Sequence, residues 1–188
     1  MQKNENPIVL SLVLLVISVV VALLLAFTNS ITKDKIAENT LNKQNAAKQE
    51  VLPLATEYVD FKYEKGDVKA VYQAVSGDKM EGWCVNVTPS GYGGAIDMMV
   101  GINPDLSVSG IKVVSNSETA GLGAKCTDES FKDQFKGKKA PLSVIKNGNA
   151  KEGEIVAITG ATITSNAVVN GVNDAIQAIK EVGGGLND

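Results

Sequence analysis

Residues 159–165 read TGATITS and carry four hydroxyls, on Thr159, Thr162, Thr164 and Ser165, around Gly160 and Ala161. A short apolar run, EIVAIT (154–159), precedes them, and SNAVVNGVNDAIQAIKEV (165–182) follows with apolar residues at helical spacing. The stretch therefore lies where a strand meets a helix N-terminus. Unpartnered N–H groups and the positive end of the helix dipole make such a place receptive to phosphate. Gly160 and Ala161 carry no side chain that would fend off a ligand. Three kinds of chemistry fit: a structural turn with Ser165 as N-cap, a phosphate site, or a threonine hydroxyl carrying a covalent group. A nucleotide-binding P-loop is poorly supported, because the G-x-x-x-x-G-K-[ST] pattern is missing.

Composition removes other chemistries. The chain has no histidine, which excludes histidine-based triads, metal sites and general bases. Two cysteines, Cys84 and Cys126, cannot hold a structural zinc or an iron–sulfur cluster alone. They share no spacing motif, and two free thiols are expected rather than a disulfide. A net charge of −3, with lysines spread among acidic residues and no arginine, speaks against nucleic-acid binding.

The elements that would position TGATITS begin far upstream. Ile8–Phe27 holds no charge and only two polar residues, Ser11 and Ser18. At about 1.5 Å per residue, some 20 helical residues span a hydrocarbon core of about 30 Å. The run is longer than a signal h-region and lacks a convincing small-residue cleavage site, so a retained anchor is expected. Lys3 on one side and Lys33 and Lys35 on the other leave its orientation undecided. We expect a tail and membrane helix over 1–30, a polar stalk helix or linker over 31–54, and a soluble domain over 55–188.

Within that domain, VKAVYQAV (68–75) and GWCVNVTP (82–89) predict strands joined by a turn at Gly77–Asp78. In the second, Trp83, Val85 and Val87 alternate with Cys84 and Asn86, as burial of one face requires. AIDMMVGI (95–102) and LSVSGIKVVSNS (106–117) predict two more strands, separated by the turn signal NPD. GYGG (91–94) and ETAGLGAK (118–125) predict loops. FKDQFKG (131–137) predicts a short helix, PLSVIKNG (141–148) a strand, and Gly183–Gly185 the end of the last helix. The sum is an α+β domain with antiparallel pairing behind a single membrane helix.

TGATITS resembles the [ST]-G-A-T-x-[ST] signature of the FMN-binding domain family, in which a threonine carries FMN through a phosphoester. GWCVNVTPSGYGGAIDMMVGINPD is similar to the family's strand–GYGG–strand block, and SNSETAGLGAK to its S-x-E-T-P-G-L-G loop. The three motifs stand in the family's order behind an N-terminal anchor. Within the family the likeness is greatest to the G subunits of Rnf-type ferredoxin:NAD oxidoreductases. The C subunits of sodium-translocating NADH:quinone oxidoreductases share the domain, and a non-redox flavin-binding module is a third reading.

The resemblance implies that Thr162 carries FMN, with Thr159, Gly160 and Ala161 forming the approach. Thr164 and Ser165 would bond phosphate or cap the helix. Glu118, Thr119, Leu122 and Gly123 would lie against the flavin, and Tyr92 would border it or cover the strand ends. It implies an electron-transfer subunit of an oxidoreductase complex, with no catalytic acid or base and no metal of its own. Its partners would be other membrane subunits, among them a second flavin-bearing one, a flavin transferase, and membrane lipid. The flavin domain would lie on the extracytoplasmic side of the inner membrane. Two positions depart from the family: Val156 stands where the flavinylation motif has aspartate, and Ala120 where the loop has proline.

Overall fold

The computed structural model describes residues 7–184. Lys3 and Gly185, invoked above, lie outside them. Helix α1 runs without a break over Pro7–Val51, so the span and the stalk are one helix. Its apolar part is, among the described residues, the one helical segment long and apolar enough to cross a membrane. Within it, the Ser11 and Ser18 hydroxyls donate to the Pro7 and Leu14 carbonyls, both at 2.9 Å. Each polar side chain is thereby satisfied by its own helix, as a hydrocarbon setting requires.

A compact unit begins at Lys43. Its main sheet is an antiparallel meander in the order β1-β2-β3-β4-β5. The strands are β1 (Glu57–Phe61), β2 (Val68–Ser76), β3 (Lys79–Val87), β4 (Asp97–Ile102) and β5 (Val108–Ser115). Helix α3 (Thr162–Gly184) packs its Val168, Val172, Ala175, Ile176 and Ile179 into a core with Val85, Val87, Met98 and Val100. Phe61 meets Trp83 edge-on at 5.3 Å between ring centroids.

The alternation in β3 is real, but both of its faces are buried from Gly82 to Val87. Cys84 joins Ala74 and Met99 in a second cluster, closed by Ala47, Val51 and Leu52 at the end of α1. The last turns of the expected stalk therefore pack against the sheet. A Cβ on Gly101 would collide with Val51, so the bare glycine lets helix and sheet approach. Ser109 Oγ donates to the Val51 carbonyl at 2.7 Å, and Lys48 Nζ sits 4.2 Å from the Tyr72 ring centroid.

Beyond β5, a 3-10 turn (Gly123–Thr127) leads into a short helix α2 (Glu129–Lys132) and a further 3-10 turn, Asp133–Phe135. Strands β6 (Ser143–Ile145) and β7 (Glu154–Val156) then form a separate two-stranded sheet. This pair is parallel and stands beside the antiparallel main sheet that the sequence predicts. Two carboxamides anchor it. Asn173 of α3 exchanges hydrogen bonds with Leu142 N–H (2.8 Å) and C=O (2.9 Å), and Gln134 does the same for Val156 (2.8 and 3.3 Å). Strand β7 is therefore held on both edges just before TGATITS. Helix α3 includes Gly183 and Gly184, the first two residues of the glycine run at which the sequence places its end.

Cys84 and Cys126 are both free and buried, in different clusters. Burial pushes the Cys84 thiol up to about 12 against the pull of the Lys48 charge. Burial first, then the Glu118 charge, raises Cys126 to about 11. Both are neutral packing groups near pH 7, not nucleophiles.

Candidate functional site

The turn Thr159–Gly160 joins β7 to α3, with Gly160 at φ +77°, a left-handed conformation that favours glycine. The first i→i−4 bond of α3 runs from Ser165 N to the Ala161 carbonyl at 3.0 Å. The N–H groups of Thr162, Ile163 and Thr164 consequently have no partner inside the helix. That first turn opens on a cavity of about 560 Å³. Its walls are Gly160 to Thr164 from the turn and helix, Glu118, Thr119, Leu122 and Gly123 from the second loop, and Tyr92 from GYGG. Three segments far apart in sequence thus share one hollow.

The four hydroxyls of TGATITS separate into different roles. Ser165 is wholly buried, accepts the Ile158 N–H and donates to the Ala161 carbonyl, both at 2.9 Å. It sits inside the helix, not at the N-cap, and is not among the cavity walls. Its work is to lock the turn onto the helix, which corrects the expectation of an N-cap. Thr164 is buried, and its hydroxyl donates to Glu118 Oε2 at 2.5 Å. Thr159 is exposed and also stands outside the walls. Thr162, half-buried, is the one of the four that both faces the cavity and has no side-chain hydrogen-bond partner among the described residues.

Glu118 does more than border the hollow. Besides accepting from the Thr164 hydroxyl, its Oε1 accepts the Gly93 N–H at 2.8 Å, and its own N–H donates to Asn116 Oδ1 at 3.1 Å. One carboxylate therefore ties the GYGG loop, the second loop and the start of α3 together. A Cβ on Gly123 would strike both the Glu118 carboxylate and the Thr164 hydroxyl, so glycine is required there. Tyr92, 71% exposed, stands at the cavity. With Leu122 and Ile163 it gives the hollow an exposed apolar border. Ile163 and Gly93 were not legible as site residues: one is a lone apolar residue among hydroxyls, and the other acts through its backbone.

A flavin mononucleotide fits what these residues offer. The volume lies in the range of about 300–1,000 Å³ typical of small-molecule sites. The helix N-terminus and the Thr162 hydroxyl would receive phosphate, and the apolar border would flank an aromatic ring. A smaller hollow of about 250 Å³ is lined by Glu50, Glu129, Lys132, Asp133 and Lys136. Both of its lysines are already paired with acids, Lys132–Glu129 at 2.8 Å and Lys136–Asp133 at 2.7 Å, and it offers no comparable chemistry. The two departures lie away from the walls: Val156 is gripped through its backbone by Gln134, and Ala120 is exposed in the second loop.

Sheet, helix N-terminus and hydroxyl-lined cavity together define an FMN-binding domain, and residues 91–177 match the FMN-binding domain family. Residues 2–51 match the RnfG N-terminal region. The G subunit of the Na(+)-translocating ferredoxin:NAD(+) oxidoreductase complex of Acetobacterium woodii is 39% identical, over 92% of this chain and 91% of that one. The G subunit of the ion-translocating oxidoreductase complex of Methanosarcina acetivorans is 34% identical, over 94% and 95%. The chain belongs to the family of these G subunits. Among solved structures, the C subunit of the Na(+)-translocating NADH-quinone reductase of Parabacteroides distasonis superposes with a TM-score of 0.59. It shares 20% identity and covers 79% of this chain and 94% of that one, a likeness of fold.

Proposed function

We propose that this chain is the FMN-carrying, electron-relaying G subunit of a membrane ion-translocating ferredoxin:NAD oxidoreductase, with the cofactor bound covalently at Thr162. One observation carries the reading. In a chain aligned with G subunits over nearly its whole length, Thr162 alone of the four TGATITS hydroxyls faces the cavity without a partner among the described residues. FMN supplies reversible electron transfer when bound, and the protein's task is to hold it and set its surroundings. The first-turn N–H groups of α3 would stabilise the charge that a phosphodiester retains, and Tyr92, Leu122 and Ile163 would flank the ring. A relay needs no acid or base for a substrate, and the one acid at the cavity is engaged by two hydrogen bonds. The apolar part of α1 carries no ionisable residue over Ile8–Phe27, so ion movement belongs to partner subunits in the membrane. One of these would bear a second flavin, and a flavin transferase would attach the one here.

Protein purified after co-expression with a flavin transferase should stay yellow and fluorescent once denatured, and bleach reversibly with dithionite when native. A colourless denatured chain would remove the covalent bond from the reading. A bound flavin that dithionite cannot bleach would instead favour a non-redox binding module.

The domain is proposed to lie outside the cytoplasm, on the strength of the family resemblance. Protease added to intact spheroplasts should then digest the chain beyond about Ser30. Full protection would place the domain in the cytoplasm.

A further inference from the structure

Glu118 presents a combination that its place in the second loop does not explain. It is only 9% exposed, yet it forms no ion pair among the described residues. Its two oxygens are met by neutral donors, the Gly93 N–H and the Thr164 hydroxyl. It is also the one acidic side chain among the cavity walls. A buried acid without a cation is costly to a fold, and one that faces a ligand cavity is a functional candidate on that ground. A purely mechanical link between the loops could be made by a glutamine, whose carboxamide oxygen also accepts, without burying a charge.

Resting on the reading that the cavity holds FMN, we propose that Glu118 is a positioning residue that lowers the reduction potential of that flavin. Negative charge at the cavity wall opposes the arrival of electrons, and the protein surroundings screen it less than water would. The Thr164 hydroxyl, by donating to the carboxylate, partly offsets the field that the cofactor feels. The same two hydrogen bonds fix the distance between charge and cavity, because they bind the carboxylate to both other walls. Electrostatic and mechanical roles thus reside in one side chain and can be separated by substitution. Glu118→Gln removes the charge and keeps the shape. Thr164→Val keeps the charge and removes its donor.

The test is a spectroelectrochemical titration of the full-length chain in detergent, after co-expression with a flavin transferase. Glu118→Gln should raise the potential by about tenfold in the one-electron equilibrium constant, about 59 mV. Thr164→Val should shift it the opposite way. A Glu118→Gln potential equal to that of the unsubstituted chain overturns the proposal and leaves the flavin reading intact. If Glu118→Gln takes up no flavin, Thr164→Val decides: a fall in potential supports the proposal, and no change overturns it. An unsubstituted chain without flavin overturns both.

Discussion

Thr162→Val should abolish covalent flavin while leaving the fold essentially unchanged. The hydroxyl removed has no hydrogen-bond partner among the described residues, so no donor or acceptor is orphaned. Asn166, which does contact this residue, bonds the Thr162 carbonyl, and that bond survives at 2.8 Å. Valine keeps the β-branched shape and has nearly the helix propensity of threonine, so the stability change should stay below about 1 kcal/mol. Thr164→Val is the informative contrast. It strips a buried carboxylate of one of its two donors and should cost roughly 1.5–3 kcal/mol, the range for hydrogen bonds to charged groups. Melting temperature should therefore separate the variants in one order and flavin content in the other. Peptide mass spectrometry on chains co-expressed with a flavin transferase reads the second. FMN found on Thr159, Thr164 or Ser165, or retained by Thr162→Val, would sink the assignment.

The parts of this molecule legible in sequence are those whose signals are local. Strands β2 to β5 announce themselves by β-branched runs between glycine and proline turns, and α3 by its 3.6-residue repeat. What was not legible is set by distant partners. Strand β1, EYVDF, is largely exposed and carries two acids in five residues, so nothing in it reads as a strand until β2 pairs with it. The one-face alternation of β3 predicted a solvent side, yet Cys84 is covered because Val51 and Leu52 arrive from more than thirty residues earlier. Hydroxyl roles diverged for the same reason. TGATITS could not reveal that Thr164 bonds an acid 46 positions away, or that Ser165 reaches back to Ile158. Sequence pointed to these seven residues; long-range packing decides which of their hydroxyls has a side-chain partner.

That same packing sets where the soluble domain can be cut. A chain starting at Lys43 retains Ala47, Val51 and Leu52, all no more than 5% exposed, over Ala74, Cys84 and Met99. A chain starting at Leu54 loses that cover and bares three residues with no exposure at all. Burying a valine or leucine side chain is worth about 1.5–3 kcal/mol, so Val51 and Leu52 alone contribute roughly 3–6 kcal/mol. The Ser109 bond to the Val51 carbonyl and the Lys112–Glu50 ion pair at 2.7 Å disappear with them. Against a domain stability of about 5–15 kcal/mol, this loss is severe. The longer chain should be soluble and unfold cooperatively, while the shorter should aggregate or melt at least roughly 10 °C lower. Thiol labelling reports the cause directly. Cys84, held protonated by burial near a pKa of about 12, should resist alkylation in the Lys43 chain and react readily in the Leu54 chain. Val51→Asp in the full-length protein tests the same cluster without truncation and should expose the same thiol. Equal melting temperatures for the two truncated chains, with Cys84 unreactive in both, would show that the end of α1 only rests on the sheet and that the domain stands without it.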